Sequence, residues 1–152
     1  MTAPLLNPYQ KNSIEVTLRS FEDDLHQVND WLAETQTSRV LSKRQSRLSE
    51  KQKGTMRQII QQALAEIAVL KDELYLVTED VNVSDLIRGQ MSIDWENLSG
   101  LQVKKLARYG KVSQEAAPAI DPHIGYLTNL ALSLIAITDE DPTESQSQQR
   151  NS

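Results

Sequence analysis

The sequence predicts an all-α protein, a helical bundle of about four principal helices, and three observations support this fold class. Apolar residues recur at alternating spacings of three and four along two long segments, as they do on one face of a helix. Aromatic residues make up only 5% of the chain. Only five Gly and five Pro occur among 152 residues. Since sandwiches and barrels need frequent turns and aromatic or β-branched strands, this composition disfavours an all-β fold.

The first predicted helix covers about 10–36. Its apolar stripe advances in alternating steps of four and three residues through Ile14, Leu18, Phe21, Leu25, Val28 and Leu32. Trp31 widens the stripe near its end, which favours packing inside a globular bundle. Residues 1–9 contain Pro4 and Pro8, so we expect a flexible lead-in before this helix.

The second predicted helix ends near 79 and begins either at 39 or at 52. Its apolar stripe has the same alternating spacings of four and three residues and consists of Met56, Ile60, Ala63, Ile67, Leu70, Leu74 and Val77. At a rise of about 1.5 Å per residue, both stripes are about 30 Å long. We therefore expect the two helices to lie side by side as a long heptad-patterned helical hairpin.

The segment 39–55 between these stripes has two interpretations, a basic helix overhang or a basic linker. It contains no Pro, and Arg39, Lys43, Arg47 and Lys51 are each four residues apart, so a helix would place them on one face. Its three serines and Gly54 lower the helix propensity, which favours the linker. We favour helix for much of this segment.

Two further helices complete the predicted bundle. One covers 84–108, with Ser84 as its N-cap and a break near Gly100. The other covers 121–138, where Asp121 is a preferred N-cap and Pro122 suits the first helical position. Residues 139–152 contain no apolar side chain, which predicts a disordered acidic and polar tail. We thus expect a single helical-bundle domain over 10–138.

The sequence lacks the residues that several kinds of catalytic, nucleotide-binding and metal site require. There is no Cys, which excludes disulfides, thiolate catalysis and zinc sites built on Cys. No Gly-rich phosphate loop or G-x-S-x-G stretch occurs. His26 follows Asp23 by three residues, but bundle di-metal sites use two such acid–His pairs, so a solvated acidic face is the favoured interpretation. We predict no enzyme, cofactor or metal, and keep a carboxylate-rich metal-binding bundle as a third alternative.

Targeting signals are likewise not evident in the sequence. The first ten residues lack the basic and apolar regions of a secretory signal. The longest apolar stretch, 124–137, is shorter than the about 20 residues that span a bilayer. We predict a cytoplasmic protein without a membrane span.

The leading functional prediction is a non-enzymatic helical protein-interaction module that acts through helix faces, as an adaptor, assembly factor or regulatory subunit. Its partner would be another protein or a second copy of the chain. The chain has a net charge of −5, yet 39–57 holds seven basic residues and one acidic residue. This predicts, as an alternative, an anion-binding module for nucleic acid or an acidic membrane surface. The candidate partner-binding residues are Arg39, Lys43, Arg44, Arg47, Lys51, Lys53 and Arg57.

Overall fold

The structure, a computed structural model, describes residues 5–140. These residues are mostly helical, with five α-helices and one two-stranded sheet, which confirms the helical fold class. The chain divides into two compact units at the boundary between Glu79 and Asp80, and each unit is described by itself. The single bundle over 10–138 and the heptad pairing stay predictions.

The N-terminal unit contains α1 (Pro8–Ala33), β1 (Gln36–Ser38), β2 (Lys43–Gln45) and α2 (Glu50–Leu74). Helix α1 begins before the predicted position 10 because Asn7 caps it. The Asn7 side chain accepts a hydrogen bond from the backbone N of Gln10 at 2.8 Å, and the Gln10 side chain accepts one from the backbone N of Asn7 at 3.0 Å. Pro8 occupies the first turn, where its missing N–H costs nothing.

Helices α1 and α2 run antiparallel. At one end, Arg57 donates a hydrogen bond to the carbonyl of Leu32 at 3.3 Å. At the other end, the backbone N of Val77 donates to the Glu15 carboxylate at 3.2 Å. Between these ends the buried core consists of Leu25, Leu32 and Ile60, with five partly buried residues packed against it: Val28, Met56, Ala63, Leu64 and Ile67.

The helix expected over much of 39–55 is wrong for residues 39–49, which lie before α2. Strands β1 and β2 form an antiparallel hairpin in which Gln36 pairs with Gln45 and Ser38 with Lys43. The backbone N of Arg39 donates to the carbonyl of Ser42 at 2.8 Å, which leaves 40 and 41 as a two-residue turn. The linker alternative is wrong for Lys43–Gln45, which pair with Gln36–Ser38, while residues 46–49 belong to no helix or strand.

Serine chemistry explains where α2 begins. The Ser49 side chain accepts from the backbone N of Gln52 at 3.0 Å, and the Gln52 side chain accepts from the backbone N of Ser49 at 2.8 Å. This capping box starts the helix at Glu50, so residues before it cannot continue the same helix. Helix α2 ends at Leu74 rather than near 79, because Tyr75 takes a left-handed conformation with φ 53°.

The C-terminal unit contains α3 (Val83–Ser99), α4 (Val103–Leu106), a 3₁₀ turn (Ala107–Tyr109) and α5 (Ala116–Thr138). The predicted break near Gly100 is confirmed, since α3 ends at Ser99. The predicted N-cap is wrong: Asn82 caps α3, accepting a hydrogen bond from the backbone N of Ser84 at 2.9 Å. Helices α3 and α5 pair with each other, and Ile124 and Ala131 of α5 are buried.

The predicted start of the last helix at Asp121 is also wrong, because α5 begins at Ala116. Pro122 is the seventh residue of the helix, so the hydrogen bond that a backbone N–H there would donate to the carbonyl of Pro118 is missing, and the helix continues past this gap. Asp121 instead serves another element: its carboxylate accepts from the backbone N of Val103 at 2.9 Å, at the start of α4.

A hydrogen bond and an ion pair connect the end of α5 to α3. Arg88 donates to the Thr138 hydroxyl at 3.3 Å and forms an ion pair with Asp139. Of the predicted disordered tail, 141–152 lies outside the described residues, as do residues 1–4 of the predicted lead-in.

Candidate functional site

The basic segment borders an open cleft in the N-terminal unit, which we call the hairpin cleft. It lies between the end of α1, strand β2 and the beginning of α2, and its volume is about 620 Å³. Its apolar lining includes Trp31, Leu32, Leu48 and Met56. Its cationic lining consists of Lys43, Arg44 and Arg47. The cleft therefore combines an apolar surface with a positively charged border.

Arg44 is the cation most firmly held at this cleft. In the strand register it pairs with Thr37, and both residues are half-buried while their strand neighbours are exposed. Its guanidinium lies 3.3 Å from the Glu34 carboxylate and 5.9 Å from the centre of the Trp31 ring. These contacts fix the hairpin against the end of α1 and partly neutralise the charge of Arg44.

Lys53 and Arg57, two of the seven predicted binding residues, have contacts inside the unit. Lys53 is only 6% exposed, and its ammonium lies 3.4 Å from the Glu50 carboxylate. Arg57 donates to the Leu32 carbonyl, as described above. The Lys53 contact thus lies within the first turn of α2, and the Arg57 contact joins α2 to the end of α1.

Arg39, Lys43, Arg47 and Lys51 are exposed, and none of them forms an ion pair within residues 5–140. They do not share one helix face. Arg39 and Lys43 lie near the end of the hairpin, Arg47 lies at the cleft and Lys51 lies in the first turn of α2. No acidic residue occurs over 35–49, so these cations create a local positive field suited to phosphate or carboxylate groups.

Sequence reasoning missed two features of this site. The first is the involvement of Trp31 and Glu34, which come from α1 and the residue after it and meet Arg44 only through the hairpin. The second is the exposed pair Val40 and Leu41 at the turn. Thr37 and Val40 favour strands, and this was the available signal for the hairpin.

A second candidate surface lies on the C-terminal unit, on the side of α5 that is not buried. We call it the α5 stripe: Leu127, Leu130, Leu134 and Ile137 follow one another at spacings of three, four and three. The three leucines remain 45%, 44% and 48% exposed. They border a groove of about 490 Å³ whose other wall includes Met91 and Leu98 of α3.

Helix α5 is long and apolar enough to cross a membrane, judged only by length and composition, and it is alone in this among residues 5–140. It carries Asp121, His123 and Asn129, and it pairs with α3. Length and composition do not separate a membrane span from a helix that packs with protein. The structure therefore gives no clear membrane span.

Within residues 5–140, no group of three or more His, Asp or Glu side chains is arranged to hold a metal ion. His26 lies exposed on α1. Comparison with protein-family models, with curated proteins and with solved structures found no match to this chain.

Proposed function

We propose that the protein is a non-enzymatic helical interaction module, an adaptor, assembly factor or regulatory subunit of the cytoplasm, whose α5 stripe binds a second copy of the chain. The exposure of the stripe carries this proposal. Four aliphatic side chains on one helix face are left about half in water, and burying them is favourable in proportion to their area.

The chemistry of the stripe favours a second copy as the occupant. Its spacing of three, four and three is that of a face that packs against another helix. Its members carry no charge that would repel an identical face, so two copies can pair about a twofold axis. Two α3–α5 hairpins joined in this way would make a four-helix bundle between chains.

The same proposal includes the heptad pairing of α1 and α2. The buried core residues Leu25, Leu32 and Ile60 all belong to the two stripes predicted from sequence, which supports an antiparallel coiled-coil arrangement inside the N-terminal unit. In this view the N-terminal unit buries most of its two stripes internally, with Phe21 and Val77 left 47% and 64% exposed, and the α5 stripe of the C-terminal unit binds the partner.

The oligomeric state of the full chain tests the proposal. We expect sedimentation equilibrium to show a dimer at micromolar concentration. The double variant Leu130→Asp, Leu134→Asp should weaken dimerisation about a hundredfold or more, because it places two charges in the interface. The matched control is Asn129→Asp, Ser133→Asp, which changes exposed residues of the same helix outside the stripe. A wild-type chain that is monomeric at every concentration would contradict the proposal.

A second candidate function, the anion-binding module, is supported by the three unpaired cations around the hairpin. Arg39, Lys43 and Arg47 stand within the described residues without an acidic partner. Such a surface should bind anions with an affinity that falls steeply as salt rises.

Charge reversal tests this second function. The triple variant Arg39→Glu, Lys43→Glu, Arg47→Glu should abolish binding to duplex DNA and to acidic vesicles at low salt. The matched control, Lys104→Glu, Lys105→Glu, Lys111→Glu, reverses three exposed charges of the C-terminal unit. If the control loses binding as completely as the triple variant, net charge rather than the hairpin is responsible, and the site assignment fails.

A further inference from the structure

The turn of the β-hairpin presents two aliphatic side chains entirely to solvent. Val40 is 99% exposed and Leu41 is 98% exposed. Single exposed apolar residues are common on protein surfaces, but here two adjacent ones stand at the tip of a paired hairpin. They make no contribution to the core of the unit, so another reason for their presence is needed.

The conformation of the turn does not explain why Val40 and Leu41 occupy these two positions. Two-residue hairpin turns favour Asn, Asp and Gly, because the preferred turn types place central residues at positive φ. Neither Val40 nor Leu41 has positive φ, since the non-Gly residue with positive φ in the described chain is Tyr75. The pair is therefore neither the usual turn chemistry nor part of a packed core, and such local conflicts mark functional positions.

Cations stand directly behind this tip. Arg39 precedes Val40, Lys43 begins β2 and Arg47 lies further back at the hairpin cleft. The order from the tip inward is thus apolar and then positively charged. An anionic bilayer presents the complementary order, with headgroup phosphates and carboxylates at the surface and hydrocarbon beneath them.

We propose that Val40 and Leu41 insert into the interface of an anionic phospholipid membrane while Arg39, Lys43 and Arg47 bind its headgroups. This inference rests on the anion-binding function proposed for 39–57. A fluid acyl layer accepts two aliphatic side chains without a shaped pocket. Stacking on nucleic-acid bases needs planar side chains, and the tip has none. Titration of duplex DNA with the wild type and with the tip variant described below measures the alternative, binding to nucleic acid through the tip.

Vesicle co-sedimentation of the full chain measures the partition. Vesicles of phosphatidylcholine with phosphatidylserine should bind the chain, and vesicles of phosphatidylcholine alone should not. The double variant Val40→Ser, Leu41→Ser keeps every charge and should weaken binding at least about tenfold, because the inserted apolar area is lost. The matched control is Val81→Ser, another exposed aliphatic residue, which should bind as wild type.

Removal of the cations gives the second arm. The triple variant Arg39→Gln, Lys43→Gln, Arg47→Gln should weaken vesicle binding about a hundredfold, since each cation near an acidic surface contributes about fivefold. Raising the salt concentration should weaken wild-type binding in the same direction.

A spectroscopic readout reports insertion directly. Leu41→Trp is placed in a chain with Trp31→Phe and Trp95→Phe, so that it holds the single Trp. Its emission should shift to the blue on addition of acidic vesicles, and lipids with brominated acyl chains should quench it. This measurement stays decisive even if the serine variant folds poorly.

The possible outcomes distinguish a failure of membrane insertion from a failure of the anion-binding function on which it rests. Tip-dependent binding to acidic vesicles with quenching supports the insertion. Equal binding by wild type and the serine variant, without quenching, overturns insertion and leaves anion binding in place. Tip-dependent binding to duplex DNA but not to vesicles replaces the membrane with nucleic acid. Absence of binding to any of these anions overturns both proposals.

Discussion

The two units of this chain handle their apolar helix surfaces in different ways. In the N-terminal unit, the core of Leu25, Leu32 and Ile60 comes from the facing stripes of α1 and α2. In the C-terminal unit, α5 buries Ile124 and Ala131, while its leucine stripe stays about half exposed. Two paired helices can thus bury a narrow apolar stripe against each other. A helix that is apolar on a second side needs another helix or another chain to bury that side.

The helices of the two units also differ in how many charged residues they carry beside their apolar stripes. Helices α1 and α2 carry acidic and basic side chains around their stripes, which gives each a polar face for water. Helix α5 carries Asp121 as its only acidic residue and no Lys or Arg. A charged helix face can stay in water, whereas the uncharged exposed face of α5 is the one on which we propose that a second copy binds.

The comparison can be tested unit by unit because the two Trp residues fall one in each. Trp31 belongs to the N-terminal unit and Trp95 to the C-terminal unit. Trp95→Phe leaves a reporter for the first unit, and Trp31→Phe leaves one for the second. The free energy of unfolding of each unit can then be followed by fluorescence in urea.

The largest effect is expected from Leu32→Ala in the Trp31-only chain. Leu32 is 3% exposed, and truncating a buried Leu lowers the free energy of unfolding by about 2–5 kcal/mol. Leu41→Ala is the control, since Leu41 is exposed and its loss should change stability by less than about 0.5 kcal/mol. A loss of similar size in the Trp95-only chain would show that the two units do not unfold separately.

Protein concentration should affect only the C-terminal unit. If its stripe binds a second copy, a hundredfold increase in concentration shifts the balance toward the folded dimer by about 2.7 kcal/mol. The urea midpoint reported by Trp95 should rise accordingly, while the midpoint reported by Trp31 stays constant. Leu130→Asp, Leu134→Asp should remove the concentration dependence, and a dependence that survives this change would place the interface elsewhere.

Asp121→Ala should destabilise the C-terminal unit by about 1–2 kcal/mol, because the backbone N–H of Val103 loses its acceptor. Trp95 fluorescence in urea measures the change. Asp121→Asn keeps an oxygen acceptor and should recover most of the loss. An equal effect of both variants would mean that charge, rather than the hydrogen bond, is what Asp121 contributes.

Ser49→Ala is expected to give the smallest effect, a loss of about 1 kcal/mol in the N-terminal unit. The Ser49 side chain caps α2 by accepting from the backbone N of Gln52. Ser42→Ala, at an exposed hairpin position, serves as the control and should leave the midpoint reported by Trp31 unchanged. If both serines behave alike, the capping box does not define the start of α2.

Local signals predicted the helices well and their boundaries less well. The apolar stripes identified α1 and α2, and Gly100 marked the end of α3. Two capping boxes, Asn7 with Gln10 and Ser49 with Gln52, set the starts of α1 and α2, and the residues of both are present in the sequence at the required spacing of three. Asp-Pro is a common start signal and predicts Asp121 as the cap of its own helix, but the Asp121 carboxylate accepts from Val103, eighteen positions earlier in the chain.

The helical class, the two apolar stripes of the N-terminal unit and the position of the basic segment follow from periodicity and composition, which act over short distances along the chain. Long-range packing is what makes this segment a hairpin, brings Arg44 against Trp31 and Glu34, and buries Lys53. Tertiary structure also decided which side of α5 remains exposed. These contacts join residues that are far apart in the sequence. Short-range patterns do not specify which distant residues will pack or pair with one another.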